Sequence, residues 1–231
     1  MADVIVALDF PSRRDALAMA DRLGDAAGFY KVGLELYTRA GPDVVRELRA
    51  RGKRVFLDLK LNDIPNTVAG AVRAAAELEV DLVTVHTTGG AEMLRAAAAA
   101  AENRLALLGV TLLTSLSPAD VETTWARPIS SLREEVVRLA TLARESGLPG
   151  IVASPQEAEA VRRRLGPDLV IVTPGIRLPG GDAHDQSRIA TPGEAARAGA
   201  TYLVIGRPVT TARDPVAVLA SVRADLDTVG V

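Results

Sequence analysis

A chain of 231 residues, 48% hydrophobic and 24% charged, is long enough to bury a sizeable core within one domain. Its 27 basic and 29 acidic residues leave a formal charge of -2, which argues against a broad basic face for nucleic acid. It has no cysteine, which excludes disulfides, thiol nucleophiles and thiolate metal sites, and it shows neither a signal-peptide pattern nor an apolar run able to span a bilayer, so a cytoplasmic protein without membrane contact is expected.

In chain order, β-rich apolar runs predict strands at 3–9, 29–33, 54–60, 81–86, 105–111, 150–154, 169–173 and 202–206, with helical patterns between them. The first five begin roughly every 25 residues, the length of one βα unit. Eight such units predict an α/β fold, a (β/α)8 TIM barrel forming a single domain over residues 1–231. An open doubly wound sheet is the alternative, and no Gly-x-Gly-x-x-Gly fingerprint follows the first strand to support it. Helix starts are read at Ser12 with Asp15, Ser154-Pro155 with Glu157, and Thr191-Pro192 with Glu194, each a side-chain oxygen cap with an acid three residues on. A further helix spans about 90–102 and contains the run Ala96 to Ala101. Two long loops, 115–130 with the single Trp125 and 174–190, each follow a strand. In a barrel both lie at the C-terminal face, where active sites form.

Only three of the 27 basic residues are lysines: Lys31, Lys53 and Lys60. Where arginine serves as the ordinary surface cation, a retained lysine suggests chemistry that guanidinium cannot do. Lys53 sits in a turn between Arg51 and Arg54 and reads as a solvated charge. Strand alternation sends Phe56, Asp58 and Lys60 into the barrel and Val55, Leu57 and Leu59 toward the helices. The same rule places Asp9 at the inward end of the first strand, Lys31 between Phe29 and Gly33, and Thr84 and His86 on one face of the fourth. Several strands thus deliver ionisable groups to one mouth, an arrangement better suited to proton transfer than to stability. Gly206-Arg207 after the eighth strand and Thr173-Pro174-Gly175-Ile176-Arg177 after the seventh occupy the usual phosphate position of such barrels. His86 and His184 lack acidic partners at ligand spacing, and Lys60 competes with any cation between Asp58 and Asp63, so no metal site is expected.

The run Asp58-Leu59-Lys60-Leu61-Asn62-Asp63-Ile64-Pro65-Asn66-Thr67 resembles the signature of the orotidine 5′-phosphate decarboxylase family. The resemblance extends over the chain through Ala7-Leu8-Asp9, Lys31-Val32-Gly33, Thr114-Ser115, Ser154-Pro155, Gly175-Ile176-Arg177, Asp185-Gln186 and Ile205-Gly206-Arg207. It implies decarboxylation of orotidine 5′-monophosphate to UMP and CO2, the last step of UMP biosynthesis, without metal or organic cofactor. It further implies that Asp58 lies against the departing carboxylate, that Lys60 protonates C6, and that Lys31 holds Asp58 and contacts the ribose with Asp9. The whole 58–67 run and Thr114 would line the substrate site, with Ser154 reading the pyrimidine amide. Arg177, Gln186, Gly206 and Arg207 would stand at the phosphate end, the Gln186 loop closing over the substrate. Asp63 and Thr67 would enter the partner's site in a homodimer. Two alternatives are a metal-dependent sugar-phosphate decarboxylase or aldolase of the same barrel group, and a non-catalytic nucleotide-binding barrel.

Overall fold

Eight parallel strands close into a barrel in sequence order, each hydrogen-bonded to the next and the eighth to the first. The computed structural model describes residues 2–178 and 190–229. The strands are β1 (Asp3–Ala7), β2 (Phe29–Gly33), β3 (Arg54–Leu61), β4 (Leu82–His86), β5 (Ala106–Val110), β6 (Gly150–Val152), β7 (Val170–Thr173) and β8 (Tyr202–Ile205). The helical layer consists of α1 (Arg13–Leu23), α2 (Leu34–Ala40), α3 (Asp43–Ala50), α4 (Pro65–Glu77), α5 (Gly90–Ala101), α6 (Pro118–Trp125), α7 (Leu132–Glu145), α8 (Pro155–Leu165), α9 (Pro192–Arg197), α10 (Arg207–Thr210) and α11 (Pro215–Asp227). The predicted barrel is therefore the observed fold, and the open-sheet alternative is excluded by closure.

Two apolar clusters follow from the period-2 alternation of the strands. Outward residues such as Val6, Val55, Leu57, Val83 and Ile171 pack with the helices in one large cluster. Inward residues Ile5, Ala7, Phe29, Phe56, Leu82, Leu108, Val172 and Val204 form a second cluster that fills the barrel itself. Below it, Arg54 closes the N-terminal end: its guanidinium lies 4.0 Å from the Phe29 ring centre and bonds the Tyr202 hydroxyl at 3.3 Å and Asp81 at 3.1 Å. The floor is thus sealed by an arginine paired with a carboxylate and stacked on an aromatic face. Polar groups reach the interior at the opposite end.

Local signals decide the helix boundaries. Ser12 and Thr191 cap α1 and α9 as predicted, Thr191 within a complete capping box. Ser154 precedes α8 as predicted but does not cap it with its side chain. Its hydroxyl donates to the Glu157 carboxylate. The 115–130 stretch is not loop throughout, because Ser117, Pro118 and Asp120 form a capping box that starts α6. Among the described residues no helix is long and apolar enough to cross a membrane.

Candidate active site

The C-terminal mouth opens into a cavity of about 450 Å³, lined from β1, β2, β3, β5, β6, β7 and β8 or the loops after them. Asp9, Lys31, Asp58, Lys60, Thr114, Arg177, Gly206 and Arg207, all expected from the sequence, lie on its wall. Leu112, Leu113, Pro174 and Gly175 join them, giving the cavity an apolar side on β5 and a glycine-containing edge on β7.

Four of these groups alternate in charge along a continuous chain. Lys31 Nζ stands 3.0 Å from Asp9 Oδ1 and 3.5 Å from Asp58 Oδ2, and Lys60 Nζ stands 2.9 Å from Asp58 Oδ1. The two inner members are nearly enclosed, with the side chains of Lys31 and Asp58 only 12% and 13% exposed, against 62% for Asp9. Burial pushes the Asp58 carboxyl toward a higher pKa, but the Lys31 and Lys60 ammoniums and the Thr84 hydroxyl overcome it and hold it below the ordinary carboxylate value. Burial likewise works to lower the Lys31 pKa, yet the Asp58 and Asp9 carboxylates carry it above the ordinary lysine value. At neutral pH both groups are therefore ionised inside the barrel. Gly33 makes room for this chain. A β-carbon there would lie 2.9 Å from Lys31 Nζ and 3.3 Å from Asp9 Oδ1, so only glycine leaves the pair undisturbed.

β3 is not a regular strand where it carries these groups. Leu57 pairs with Val83 but Leu61 with Val85, so β3 holds extra residues opposite Thr84. Lys60 absorbs the irregularity with a φ of 52°, in the left-handed region rarely adopted by non-glycine residues. Such strain of order 1–3 kcal/mol persists where surrounding contacts impose it, often at functional sites. The sequence reading placed Asp58 and Lys60 on one face by regular alternation; the structure brings them together through a bulge instead.

On the far side of the cavity Arg177 is buried, and burial together with the nearby Arg207 guanidinium holds its pKa below the usual arginine value. Two guanidinium groups brought this close favour an anion between or beside them. His86, at the end of β4, has its pKa lowered by burial and then by the Lys60 charge, against the pull of Asp58.

The remaining expected residues lie elsewhere. Leu59 and Leu61 pack against the helix-side core. Asn62, Asp63 and Ile64 are exposed on the turn into α4, Pro65 is its first residue, and Asn66 and Thr67 are exposed in its first turn; none of these eight residues lines this cavity. Ser154 is buried at the start of α8 and is likewise absent from the cavity wall. Gln186, His184 and Asp185 lie outside the described residues. Among the described residues no group of three or more His, Cys, Asp or Glu is arranged to hold a metal ion. Thr84 is the residue whose importance the sequence did not disclose. Its position on the inward face of β4, beside β3, was the available signal.

Fold and site together define a (β/α)8-barrel enzyme whose candidate reacting groups are paired carboxylates and ammoniums at the strand C-termini. Comparison with known proteins narrows that class. The family model described as "Orotidine 5′-phosphate decarboxylase / HUMPS family" matches residues 2–222. The orotidine 5′-phosphate decarboxylases of Moorella thermoacetica and Halorhodospira halophila are 50% and 51% identical, covering 98% of this chain and 92% and 97% of their own lengths. The crystal structure of the Lactobacillus acidophilus orotidine 5′-phosphate decarboxylase superposes with a TM-score of 0.87 at 36% identity, covering 98% of this chain and all of that one. The chain belongs to the orotidine 5′-phosphate decarboxylase / HUMPS family.

Proposed function

We propose that this protein decarboxylates orotidine 5′-monophosphate to UMP and CO2, completing UMP biosynthesis, as one domain over residues 1–231. The observation that carries the reading is the ionised Asp58 held between two ammoniums, one of them on a strained lysine at the cavity wall. The family and the relatives at about half identity favour this carboxy-lyase over a sugar-phosphate decarboxylase or aldolase and over a silent nucleotide binder.

In the proposed reaction the bond between C6 and the substrate carboxylate breaks, leaving its electron pair on C6. The Lys60 ammonium donates a proton to that carbon, CO2 departs, and the neutral amine regains a proton from solvent. Asp58 lies where the substrate carboxylate would meet a like charge, and the same fixed field favours charge that moves from the carboxylate onto C6. Lys31 keeps Asp58 ionised and, with Asp9, would bond the ribose hydroxyls. Arg177 and Arg207 would hold the phosphate beside the Gly206 backbone, with Gln186 as a further contact. The Thr114 side of the cavity, with Leu112 and Leu113, would cover the pyrimidine, whose amide Ser154 is proposed to read. No step calls for a metal or an organic cofactor.

The reading includes a homodimer in which Asp63 and Thr67 complete the neighbouring site. Exposed apolar surface at Ile64, 67% accessible beside Asp63, and at Leu34 after β2 supports an interface on this side of the mouth. Of the signature, Asp63 and Thr67 then act through that interface, in a cytoplasmic enzyme that contacts neither membrane nor nucleic acid. The deciding experiment is incubation with orotidine 5′-monophosphate in EDTA, following loss of its ultraviolet absorbance and identifying UMP. Turnover under chelation supports the reading; binding without turnover, or activity that EDTA abolishes, overturns it.

A further inference from the structure

Thr84 is wholly buried on β4, opposite the irregularity in β3. Its hydroxyl oxygen accepts the Lys60 backbone N–H at 2.9 Å and donates to Asp58 Oδ1 at 3.0 Å. That carboxylate oxygen is also the one bonded by Lys60 Nζ at 2.9 Å. In an unbroken parallel ladder the Lys60 N–H would find a backbone carbonyl. At the bulge a side-chain hydroxyl takes that place, and it can do so because one hydroxyl both donates and accepts. The same oxygen therefore fixes the backbone from which the lysine projects and the carboxylate to which its ammonium points. The left-handed φ of 52° at Lys60 needs such an external tie, since nothing in a lysine side chain favours it.

We propose that Thr84 is a positioning residue for the decarboxylation, aiming the Lys60 ammonium by holding its backbone and its Asp58 partner through one hydroxyl. The inference rests on the assignment of Lys60 as proton donor. Thr84 does not line the cavity, so its effect belongs to the chemical step and not to substrate binding.

Thr84→Val keeps the branched shape and removes both hydrogen bonds, Thr84→Ser keeps the hydroxyl, and Thr84→Ala removes it without overcrowding. Loss of a hydrogen bond to a charged group, with release of the strained turn, is expected to lower kcat by roughly 10- to 100-fold in the Val and Ala variants. KM for orotidine 5′-monophosphate and Kd for UMP should move by less than about threefold, and Thr84→Ser should recover kcat to within about threefold of the parent. If Thr84→Val fails to fold, the Ala and Ser variants decide alone. A kcat unchanged in the hydroxyl-free variants, equal in Ser and Ala, or a loss confined to KM overturns the proposal. Lys60→Ala measured beside them separates the two assignments. An active Lys60→Ala enzyme removes the parent reading, whereas an inactive one together with undiminished Thr84→Val removes only the role of Thr84.

Discussion

Replacing Lys31 by methionine tests whether the charged chain is ionised in the folded protein. Lys31 is 12% exposed and shares Asp58, 13% exposed, with Lys60; this is a buried network in which each charge relies on its partners. Removing one partner from a buried pair commonly costs about 3–5 kcal/mol, chiefly from the charge left behind. Asp58 would still keep the Lys60 ammonium at 2.9 Å and the Thr84 hydroxyl at 3.0 Å, which places the expected loss at the lower end, roughly 3 kcal/mol. Asp9, 62% exposed and hydrated, adds little. For a chain of this size that loss lowers Tm by about 6–12 °C. Its pH dependence has a definite sign. The Asp58 pKa is depressed in the parent, so its contribution to stability is present above the unfolded carboxylate pKa and is lost as pH falls through the folded value. The Lys31 pKa is raised, so its contribution is present below the unfolded lysine pKa and is lost as pH rises through the folded value. The destabilisation by Lys31→Met should therefore be greatest near neutral pH and shrink on acidification, as Asp58 takes up a proton. Urea unfolding across that range measures it, with Asp58→Asn added to Lys31→Met expected to restore most of the loss at pH 7. A loss independent of pH, or no recovery in the double variant, would refute an ionised Asp58 dependent on Lys31.

Lys60→Ala should abolish decarboxylation while UMP still binds, and Lys60→Arg should fail nearly as badly because guanidinium is a poor proton donor; absorbance and calorimetry read the two effects. Arg207→Ala should raise KM by at least about tenfold if phosphate is held there, and an unchanged kcat/KM speaks against that placement. Gly33→Ala should displace the Lys31 ammonium, since its β-carbon would stand 2.9 Å away, and lower kcat/KM by about tenfold or more while Tm falls only slightly. Mixing inactive Lys60→Ala and Asp63→Ala proteins under conditions shown to exchange subunits should recover roughly a quarter of parental activity if Asp63 serves the neighbouring site, and none if it serves its own.

The barrel was legible because its signals are repetitive and local. Each apolar run has a fixed period, which places Phe29 and Phe56 inside and Val55 and Leu57 outside, as the two clusters have them. The same alternation led to Asp9, Lys31 and Asp58 as inward groups, and all three meet in the cavity. It failed where geometry departs from the period. A left-handed Lys60 leaves no mark in composition, because lysine is not a residue that advertises positive φ, and the bulge is specified by a hydroxyl on the neighbouring strand. Helix α6 is a different case. Ser117-Pro118 with Asp120 has the form used to read helix starts at Ser154 and Thr191, so the signal was present, but the length of the stretch suggested a loop. For Ser154 the motif marked the helix start correctly, but the hydroxyl donates to the Glu157 carboxylate and accepts no backbone N–H of the first turn.

Under the proposed reaction the distribution of charge explains how the substrate is held near a group that repels it. Asp9, Lys31, Asp58 and Lys60 alternate in sign, so the chain offers an arriving carboxylate little net attraction at the end where bond breaking occurs. The guanidinium groups of Arg177 and Arg207 lie on the β7–β8 side of the same cavity, where an anionic phosphate can supply the binding energy. Charge shifting from the carboxylate to C6 moves away from Asp58 and toward an ammonium already paired with it. The interaction therefore improves along the reaction coordinate and not on binding, which raises kcat without tightening the ground state. Such an arrangement works only if Asp58 cannot turn aside to relieve the repulsion. Its two oxygens are taken up separately, Oδ2 facing Lys31 and Oδ1 held by both Lys60 and Thr84, so rotation of the carboxylate would break all three contacts together.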